Sequence, residues 1–382
     1  MIVLIVGLFY IAYHQSPLPP LSHNGSGGTT PPTTQSPSST AASGNDSVAL
    51  PLAPHGLFVA MFPGKADSTD YAAISQNLIN NPIVDGADIF VVWAQVDKGP
   101  AANPKYDWAP VDKDMQAWIA AGKKVNLIVW AVSEGGAANI GTPSYVLASV
   151  PTVSCAYLNQ EPVYWNPAYM SAYQKFMAAL IEHYGTNPSV GYIRFGLGTG
   201  GETYLPCQKQ LTASYGFSTQ VWERYIFSML DYEKSLNAPK WLVVGTNNLD
   251  PNSASPDYSF PDAVAARAEQ DGIGIGNQGW QLSDISNFAS GTPCNADWCG
   301  NFDTYFGHVP LYLQTLGKTD PANASPTGSL VNLMPFALHH HAQIFEIYYQ
   351  DWFVGYDPND PFYAQYHAAY QQALTAAHNA VD

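Results

Sequence analysis

The sequence predicts an α/β fold, a (β/α)8 barrel preceded by a disordered linker. Eight short apolar runs alternate with amphipathic segments, and two of the runs carry a glutamate at or near their ends. The runs are mostly continuous rather than strictly alternating, which is typical of parallel strands covered by helices. They lie at 56–62, 87–93, 124–131, 191–196, 240–246, 272–278, 309–315 and 343–349. Eight strands alternating with helices over about 330 residues favour a closed barrel.

The N-terminal region predicts an exported protein. Residues 1–13 are apolar and uncharged, which indicates an export or anchor segment, although the segment is shorter than the ~20 residues that span a bilayer. Residues 14–54 are rich in Ser, Thr, Pro and Gly and predict a disordered linker, because they have little to bury. We therefore expect a protein that is secreted or anchored at the cell surface. The segment and linker would allow tethering to a membrane or cell wall, with residues 55–382 as the catalytic domain.

Helical patterns separate the predicted strands. The segment from Asp112 ends at Gly122 with basic residues behind it, which is a typical helix end. Apolar spacing predicts helices over 169–184, 219–236 and 360–381. An open, doubly wound sheet is the alternative. No GxGxxG loop opens a helix after the first predicted strand, and Glu202 and Pro206 stand where a helix would begin after the glycines at 196–201.

Charge and aromatic content restrict the partners. The chain has 14 Lys and Arg against 30 Asp and Glu, a net charge of −16, which argues against nucleic acid. The same acidity is also typical of a soluble secreted protein. Aromatic residues make up 13% of the chain, which suits stacking against sugar rings. GxSxG, HExxH and Walker patterns are absent, so esterase, zincin and NTPase functions have no support. We expect a monomer that has a carbohydrate substrate and needs no cofactor.

Two motifs that suggest other chemistry have simpler interpretations. The three histidines at 339–341 cannot all face one metal ion, because neighbouring side chains point apart, and they are expected in the last helix before the eighth strand. The four cysteines form no CxxC pair. Cys294 and Cys299 could close a short loop, and Cys155 would then pair with Cys207. Unbonded buried thiols are the alternative.

Glu202 is the leading candidate for the catalytic acid. It follows the fourth predicted strand and a run of glycines, which lets the backbone turn sharply or lets a ligand approach closely. A carboxylate in an enclosed site of this kind can act as a general acid. A charge that stabilises a helix N-terminus, or an ion pair with Arg194, is the alternative.

Glu346 is the candidate for the second carboxylate. It lies within the apolar run from Ile344 to Tyr349, where a charge is costly unless it is paired or functional. Two glutamates facing one aromatic-rich cleft meet the requirement for acid/base cleavage of a glycosidic bond. A structural ion pair inside the barrel is the alternative. Asp351 is a second choice for the same role.

Other residues at predicted strand ends are candidates for binding sugar. Tryptophans there would stack on sugar rings, although a single such tryptophan more often packs at the rim, and neutral amides would bind hydroxyl groups. Loop acids would also hold a hydroxyl, or would simply be solvated. These candidates are Trp93, Trp130, Trp280, Trp352, Asn247, Gln278, Gln314, Glu134 and Glu161, with Asp351 at the rim.

Several segments resemble one group of enzymes. Trp93, the segment Tyr106–Asp112, the run from Gly122 to Val125, and Arg194–Glu202 resemble parts of the (β/α)8 glycoside hydrolases of the large retaining clan that includes β-galactosidases and cellulases. The architectural likeness extends roughly from Leu57 to Trp352. In that clan the glutamate after strand four is the acid/base residue. The resemblance therefore implies that role for Glu202, in cleavage of an extracellular polysaccharide or glycoside.

The chain departs from that clan at two positions. Gly201 stands where the clan usually has asparagine, and Gln314 stands at the strand-seven position of the nucleophile. Either the strand count is off by one, or the second carboxylate, Glu346, sits differently. In the latter case its separation from Glu202 would approach the ~6.5–9.5 Å of inverting enzymes rather than ~5–5.5 Å. Gln314 also leaves open a non-catalytic carbohydrate-binding or surface protein on a barrel scaffold.

Overall fold

Eight parallel strands close into a barrel. The computed structural model describes residues 50–61, 76–103, 105–133, 139–249, 257–286 and 298–382. The strands are β1 (Gly56–Met61), β2 (Gly86–Val92), β3 (Lys124–Trp130), β4 (Thr152–Val153), β5 (Glu161–Pro162), β6 (Val190–Arg194), β7 (Trp241–Gly245), β8 (Gly274–Trp280), β9 (Leu311–Thr315) and β10 (Ile344–Tyr348). The barrel order is β1-β10-β9-β8-β7-β6-β3-β2, and β1 pairs with both β2 and β10. The predicted (β/α)8 barrel is confirmed, and the open sheet is excluded.

Helices connect consecutive barrel strands and cover the barrel. They are α1 (Trp93–Val96), α2 (Ala109–Ala120), α3 (Ser144–Leu147), α4 (Pro167–Tyr184), α5 (Gln208–Tyr215), α6 (Thr219–Ser235), α7 (Ser259–Gln270), α8 (Leu282–Ser286), α9 (Cys299–Tyr305), α10 (Leu330–His339), α11 (Tyr349–Tyr356) and α12 (Tyr363–Val381). The predicted end of α2 is confirmed, since Gly122 takes a φ of +75° directly after it. Asn166 and Ser218 cap α4 and α6 by accepting backbone N–H groups.

Each barrel strand buries both of its faces. One set of alternate residues packs inside the barrel, including Phe58, Ile128 and Val243. The other set, including Val59 and Leu127, packs against the helices. Burial on both sides explains why the strands read as continuous apolar runs in the sequence. It also means that a polar side chain on an inward position enters the barrel interior.

A small hairpin and a disulfide lie beside the barrel. The short strands β4 and β5 pair antiparallel between β3 and α4. Cys155, in the loop of this hairpin, is bonded to Cys207, which follows β6, with the two Cα atoms 5.5 Å apart. This confirms one predicted pairing. Cys299 is also disulfide-bonded, and Cys294 lies outside the described residues.

The N-terminal predictions fall almost entirely outside the described part of the chain. The apolar segment 1–13 and residues 14–49 of the predicted linker are not among the described residues. In the described ranges, no helix combines the length and the apolar character needed to cross a membrane.

Candidate functional site

Glu202 lies at the carboxyl-terminal end of the barrel strands. The chain leaves β6, makes a short helical turn at 199–201 and reaches Glu202, whose side chain is half-buried. Gly200 and Gly201 take φ values of +68° and +81°, which favour glycine and explain part of the glycine run. The Glu202 carbonyl accepts the N–H of Gly198 at 2.6 Å, which closes the loop on itself. Catalytic residues of (β/α)8 barrels are found at this end of the barrel.

The Glu161 carboxylate accepts hydrogen bonds from both ends of the loop that carries Glu202. Its carboxylate is fully buried and accepts the N–H of Cys207 at 2.8 Å and the hydroxyl of Thr199 at 3.3 Å. Tyr164 donates a longer hydrogen bond of 3.4 Å to the same group. Burial raises the pKa of Glu161 to about 7, although these hydrogen bonds oppose the shift. Both sequence-based interpretations of Glu161, as a solvated loop acid or a ligand for a substrate hydroxyl, are therefore wrong: it holds the two ends of the segment that carries Glu202.

Glu346 points into the barrel interior and forms an ion pair with Arg194. The Arg194 guanidinium donates to one carboxylate oxygen, and the Tyr192 hydroxyl donates to the other at 2.6 Å. Gln314 accepts from the same guanidinium at 3.3 Å. Glu346 is 1% exposed and Arg194 is fully buried. The count of barrel strands is as predicted, with Gln314 on the seventh and Glu346 on the eighth.

A second acid extends this network away from the barrel mouth. Asp88 accepts a hydrogen bond from Asn126 at 2.9 Å and lies 3.4 Å from the Tyr192 hydroxyl, and all three residues are buried. Burial and the neighbouring charge of Glu346 raise the pKa of Asp88 well above its usual value. One guanidinium thus faces two carboxyl groups, and Arg194 forms its ion pair with Glu346. We call these five residues, Asp88, Asn126, Tyr192, Arg194 and Glu346, the interior network.

The predicted amide ligands lie above this network, at the ends of β7, β8 and β9. Asn247 and Gln278 are 6% and 5% exposed. Gln278 donates to the carbonyl of Gly200, in the loop of Glu202, at 3.4 Å. Gln314 is bound to Arg194, as described above. Asn247 and Gln278 therefore lie near the candidate acid, whereas Gln314 is bound to the Arg194 guanidinium of the interior network.

The four predicted tryptophan platforms divide into two groups. Trp130 faces the barrel interior, contacts Phe90 edge-on and keeps an indole N–H without a partner in the described residues. Trp93, Trp280 and Trp352 are completely buried in the layer between the barrel and the helices. Full burial leaves them no free ring face, so stacking of sugar is retained as a prediction for Trp130 alone.

Asp351 does not add a second carboxylate to the mouth. Asp351 is 1% exposed and accepts the N–H and hydroxyl of Thr319 at 2.9 and 2.7 Å. Burial raises the pKa of Asp351 to about 7. The Thr319 hydroxyl also forms a hydrogen bond with the Tyr370 hydroxyl of α12. Asp351 therefore takes part in attaching α12 to the rest of the helical layer. Glu134 lies outside the described residues.

In the part of the chain that the structure describes, two clusters of metal-ligating residue types are occupied by other interactions. Cys155 and Cys207 lie close to Glu161, but their sulfurs are bonded to each other. The second group contains Asp85, whose carboxylate accepts the N–H of Leu57 at the start of β1, with His378 and Asp382 from the end of the chain. The histidines at 339–341 do not converge: His339 ends α10 and His340 pairs with Asp303.

Sequence reasoning missed several interior residues, although a signal was present. Asp88, Tyr192 and Tyr312 each interrupt an apolar strand with a polar group. Their alternation with apolar neighbours indicates an inward position once the strand bounds are known. Which of these groups meet across the barrel depends on register and stagger, which the sequence does not display.

Comparison with known proteins supports the fold. No known family matches the chain, and no curated protein is detectably similar in sequence. The catalytic domain of a β-amylase from Paenibacillus polymyxa matches with a TM-score of 0.58 at 12% identity, over 84% of this chain and 98% of that one. A β-galactosidase from Marinomonas ef1 matches with a TM-score of 0.51 at 12% identity, over 84% of this chain and 59% of that one. An endo-1,4-β-mannanase from Rhizomucor miehei gives 0.50 at 12% identity, with 84% and 95% covered. The resemblance to barrel glycoside hydrolases is thus confirmed in fold.

Proposed function

We propose that the chain is a glycoside hydrolase in which Glu202 is the general acid. The main support is the position of Glu202 after the fourth barrel strand, half-buried beside the polar residues of the barrel mouth. The barrel neighbours support the same class, since a β-amylase, a β-galactosidase and a mannanase share this fold. Fold alone does not define function, so the proposal depends on the site.

In the proposed reaction, Glu202 donates its proton to the glycosidic oxygen as the bond to the anomeric carbon breaks. The leaving sugar departs as an alcohol, and water finally supplies the hydroxyl at the anomeric carbon. A second carboxylate is needed either to activate that water or to form a covalent intermediate. Thr199 and Cys207, on either side of Glu202, both donate hydrogen bonds to the Glu161 carboxylate. These bonds would hold the loop of Glu202 in place and so fix the direction of proton donation.

Glu346 remains the predicted second carboxylate. Burial raises the pKa of Glu346, although the charge of Arg194 and the hydrogen bonds from Tyr192 and Arg194 favour the charged form that a nucleophile or base requires. Its depth, two residues before the end of β10, requires the substrate to enter the barrel mouth.

The cellular context is also proposed. We propose an exported protein that acts as a monomer on an extracellular polysaccharide or glycoside, without nucleic acid as a partner. The disulfide between Cys155 and Cys207 supports export, since such bonds persist in oxidising compartments. The apolar N-terminal segment and linker support attachment to a membrane or wall.

Leaving-group dependence tests the role of Glu202. A panel of polysaccharides and aryl glycosides would first identify a substrate. We expect Glu202→Gln to lower kcat/KM by roughly 10²- to 10⁴-fold on substrates with a sugar leaving group, because proton donation is lost. The loss should shrink for aryl glycosides whose phenol leaves without a proton. Glu182→Gln, an exposed glutamate of α4, is the matched control. Equal losses on both substrate types would overturn the assignment.

A non-catalytic carbohydrate-binding protein is the second candidate. It is favoured by one observation: Gln314 occupies the strand-seven position, and Glu346 is held by Arg194 and Tyr192. In that case calorimetry would detect sugar binding by the wild-type protein, and no member of the panel would be hydrolysed.

A further inference from the structure

Gly276 of β8 leaves room for the ring of Tyr312 inside the barrel. A β-carbon at Gly276 would lie 2.2 and 2.4 Å from two ring carbons of Tyr312 and 2.3 Å from its carbonyl oxygen. A β-carbon at Gly245, the last residue of β7, would lie 3.2 Å from the Tyr312 hydroxyl. The ring therefore lies across β8, from its own strand β9 toward β7. A side chain at residue 276 would occupy the space that the ring fills.

The Tyr312 ring also lies against the Arg194 guanidinium. The Arg194 Cζ atom is 5.0 Å from the ring centroid. This distance is within the roughly 6 Å over which a cation is attracted to an aromatic face. Both side chains are completely buried, and the attraction is stronger where water is excluded. The ring thus contacts the backbone of β8 at Gly276 and the cation that comes from β6.

The edge of the same guanidinium is directed at the two neighbouring strands β9 and β10. Its Nη1 group donates to Glu346, and Nη1 and Nη2 both donate to the Gln314 Oε1 atom at 3.3 Å. Gln314 and Glu346 are register partners, and Tyr312 precedes Gln314 on the inner face of β9. A guanidinium is planar, with its donors in the plane. A ring against its face and acceptors at its edge therefore fix its orientation.

Ionisable side chains from three strands surround Glu346. Arg194 and Tyr192 of β6 donate hydrogen bonds to it. Asp88 of β2 and Tyr312 of β9 lie close enough for the charge of Glu346 to raise the pKa of each. Arg194 is the cation among these groups, and its charge opposes the rise in the pKa of Glu346 that burial causes. The orientation of Arg194 therefore decides how readily Glu346 ionises.

We propose that Tyr312 is a positioning residue of the site, whose ring orients Arg194 toward Glu346, and that Gly276 provides the space for that ring. This inference rests on the proposed hydrolase function, in which Glu346 is the second carboxylate. It adds to that function the residues that keep the carboxylate charged. Tyr312 acts through Arg194 and needs no contact with substrate.

The titration of Glu346 tests the proposal without a substrate. NMR of protein with isotope-labelled glutamate carboxyl carbons measures the pH midpoint of Glu346, and the spectrum of Glu346→Gln assigns its signal. We expect Tyr312→Leu to raise that midpoint by about one pH unit, because a guanidinium without the ring is no longer held toward the carboxylate. Tyr312→Phe keeps the ring and should leave the midpoint unchanged.

Gly276→Ala is the second variant, because its methyl group displaces the ring while the tyrosine remains. We expect the same rise in the midpoint of Glu346. The matched controls should show no rise. Gly300→Ala places a β-carbon in α9 where it meets nothing within 4 Å, and Phe90→Leu removes another ring from the barrel interior.

Thermal unfolding checks that each variant folds. An unchanged midpoint in folded Tyr312→Leu or Gly276→Ala would overturn the proposal, as would an equal rise in Tyr312→Phe or Phe90→Leu. If neither Tyr312→Leu nor Gly276→Ala folds, the ring serves packing rather than positioning, and the proposal is also overturned.

Kinetics separate this proposal from the hydrolase proposal. On a substrate that the wild-type protein hydrolyses, the acidic limb of the pH profile of kcat/KM should move up with the midpoint of Glu346, and the alkaline limb, assigned to Glu202, should stay. If hydrolysis depends on Glu202 but the Glu346 midpoint does not move in Tyr312→Leu, the positioning proposal alone fails. If nothing is hydrolysed and the midpoint still rises, the hydrolase proposal fails and the action of Tyr312 on Arg194 stands.

Discussion

The interior network and the polar residues at the barrel mouth differ in the charge of their groups. In the interior network, Glu346 accepts from Arg194 and Tyr192, and Asp88 accepts from Asn126. At the mouth, Asn247, Gln278 and Tyr312 are neutral and present polar atoms without partners among the described residues. Both regions are buried, so solvent exposure does not separate them. The charge does, since the interior network joins Arg194 to two acids, whereas unpaired polar atoms occur in both regions, including Asp88 Oδ2 and Arg194 Nε.

Removing the cation of the interior network should have the largest effect on stability. Arg194→Met leaves Glu346 and Asp88 without their positive neighbour, and we expect a loss of roughly 3–5 kcal/mol in the free energy of unfolding. Denaturant titration measures it. Arg224→Met, an exposed arginine of α6, is the control and should change stability by less than about 0.5 kcal/mol. A similarly small change for Arg194→Met would mean that the interior network is not structural.

Removing the disulfide between Cys155 and Cys207 should lower the free energy of unfolding by nearly as much as Arg194→Met. Cys155 and Cys207 are 52 residues apart, and closing a loop of that length stabilises the folded state by about 4 kcal/mol in the chain-entropy account. The double variant Cys155→Ser/Cys207→Ser should therefore unfold at a lower temperature, measured by calorimetry. We also expect it to lose activity before it unfolds, since the bond holds the segment that follows Glu202. Parallel loss of fold and activity would contradict that second expectation.

Glu161 should make the free energy of unfolding depend on pH. Its folded pKa of about 7 lies above the reference value of 4.5, so folding favours the protonated form. The stability that this proton provides is complete below pH 4.5 and is lost as pH rises to about 7, a decline of about 3 kcal/mol. Unfolding titrations of Glu161→Gln should show a decline smaller by about 3 kcal/mol, while burial of Asp351 and Glu233 keeps the rest of it. The exposed control Glu182→Gln should keep the full decline, and an undiminished decline in Glu161→Gln would contradict the assignment to Glu161.

Trp130 should give the smallest effect. Its indole packs in the barrel interior at the end of β3, and we expect Trp130→Ala to weaken binding of a sugar ligand by about 1 kcal/mol, as is typical of one aromatic contact. Calorimetry on the Glu202→Gln background measures this without turnover. Tyr215→Ala removes an exposed ring of α5 and should leave the affinity unchanged. Equal affinity in both variants would remove Trp130 from the site.

Sequence reasoning was most successful where local pattern and fold agree. The eight apolar runs matched the eight barrel strands, and Glu202 was expected at the strand end where it lies. The pairing of Cys155 with Cys207 was also expected, although with an alternative. These features depend on periodicity, on glycine and on residue type, all of which are visible along the chain.

The tryptophans show where that reasoning stops. Trp93, Trp130 and Trp280 all lie at strand ends, yet Trp130 faces the interior while the other two are in the helical layer. A shift of one position along a strand reverses the face. Register shifts occur in β3–β6 and β8–β9 pairing, so the face of a residue near them is not readable from spacing alone.

The sequence by itself determined the barrel, its strand number and the location of a glutamate at the end of strand four. Hydrophobic periodicity and glycine positions are local properties, and they suffice for those conclusions. Only the tertiary structure decided that Glu346 meets Arg194, 152 residues away, and that Asn247, Gln278 and Tyr312 converge on Gly245. Such contacts depend on the stagger of strands around a closed barrel. That stagger is set by packing of the whole interior at once rather than by any one segment.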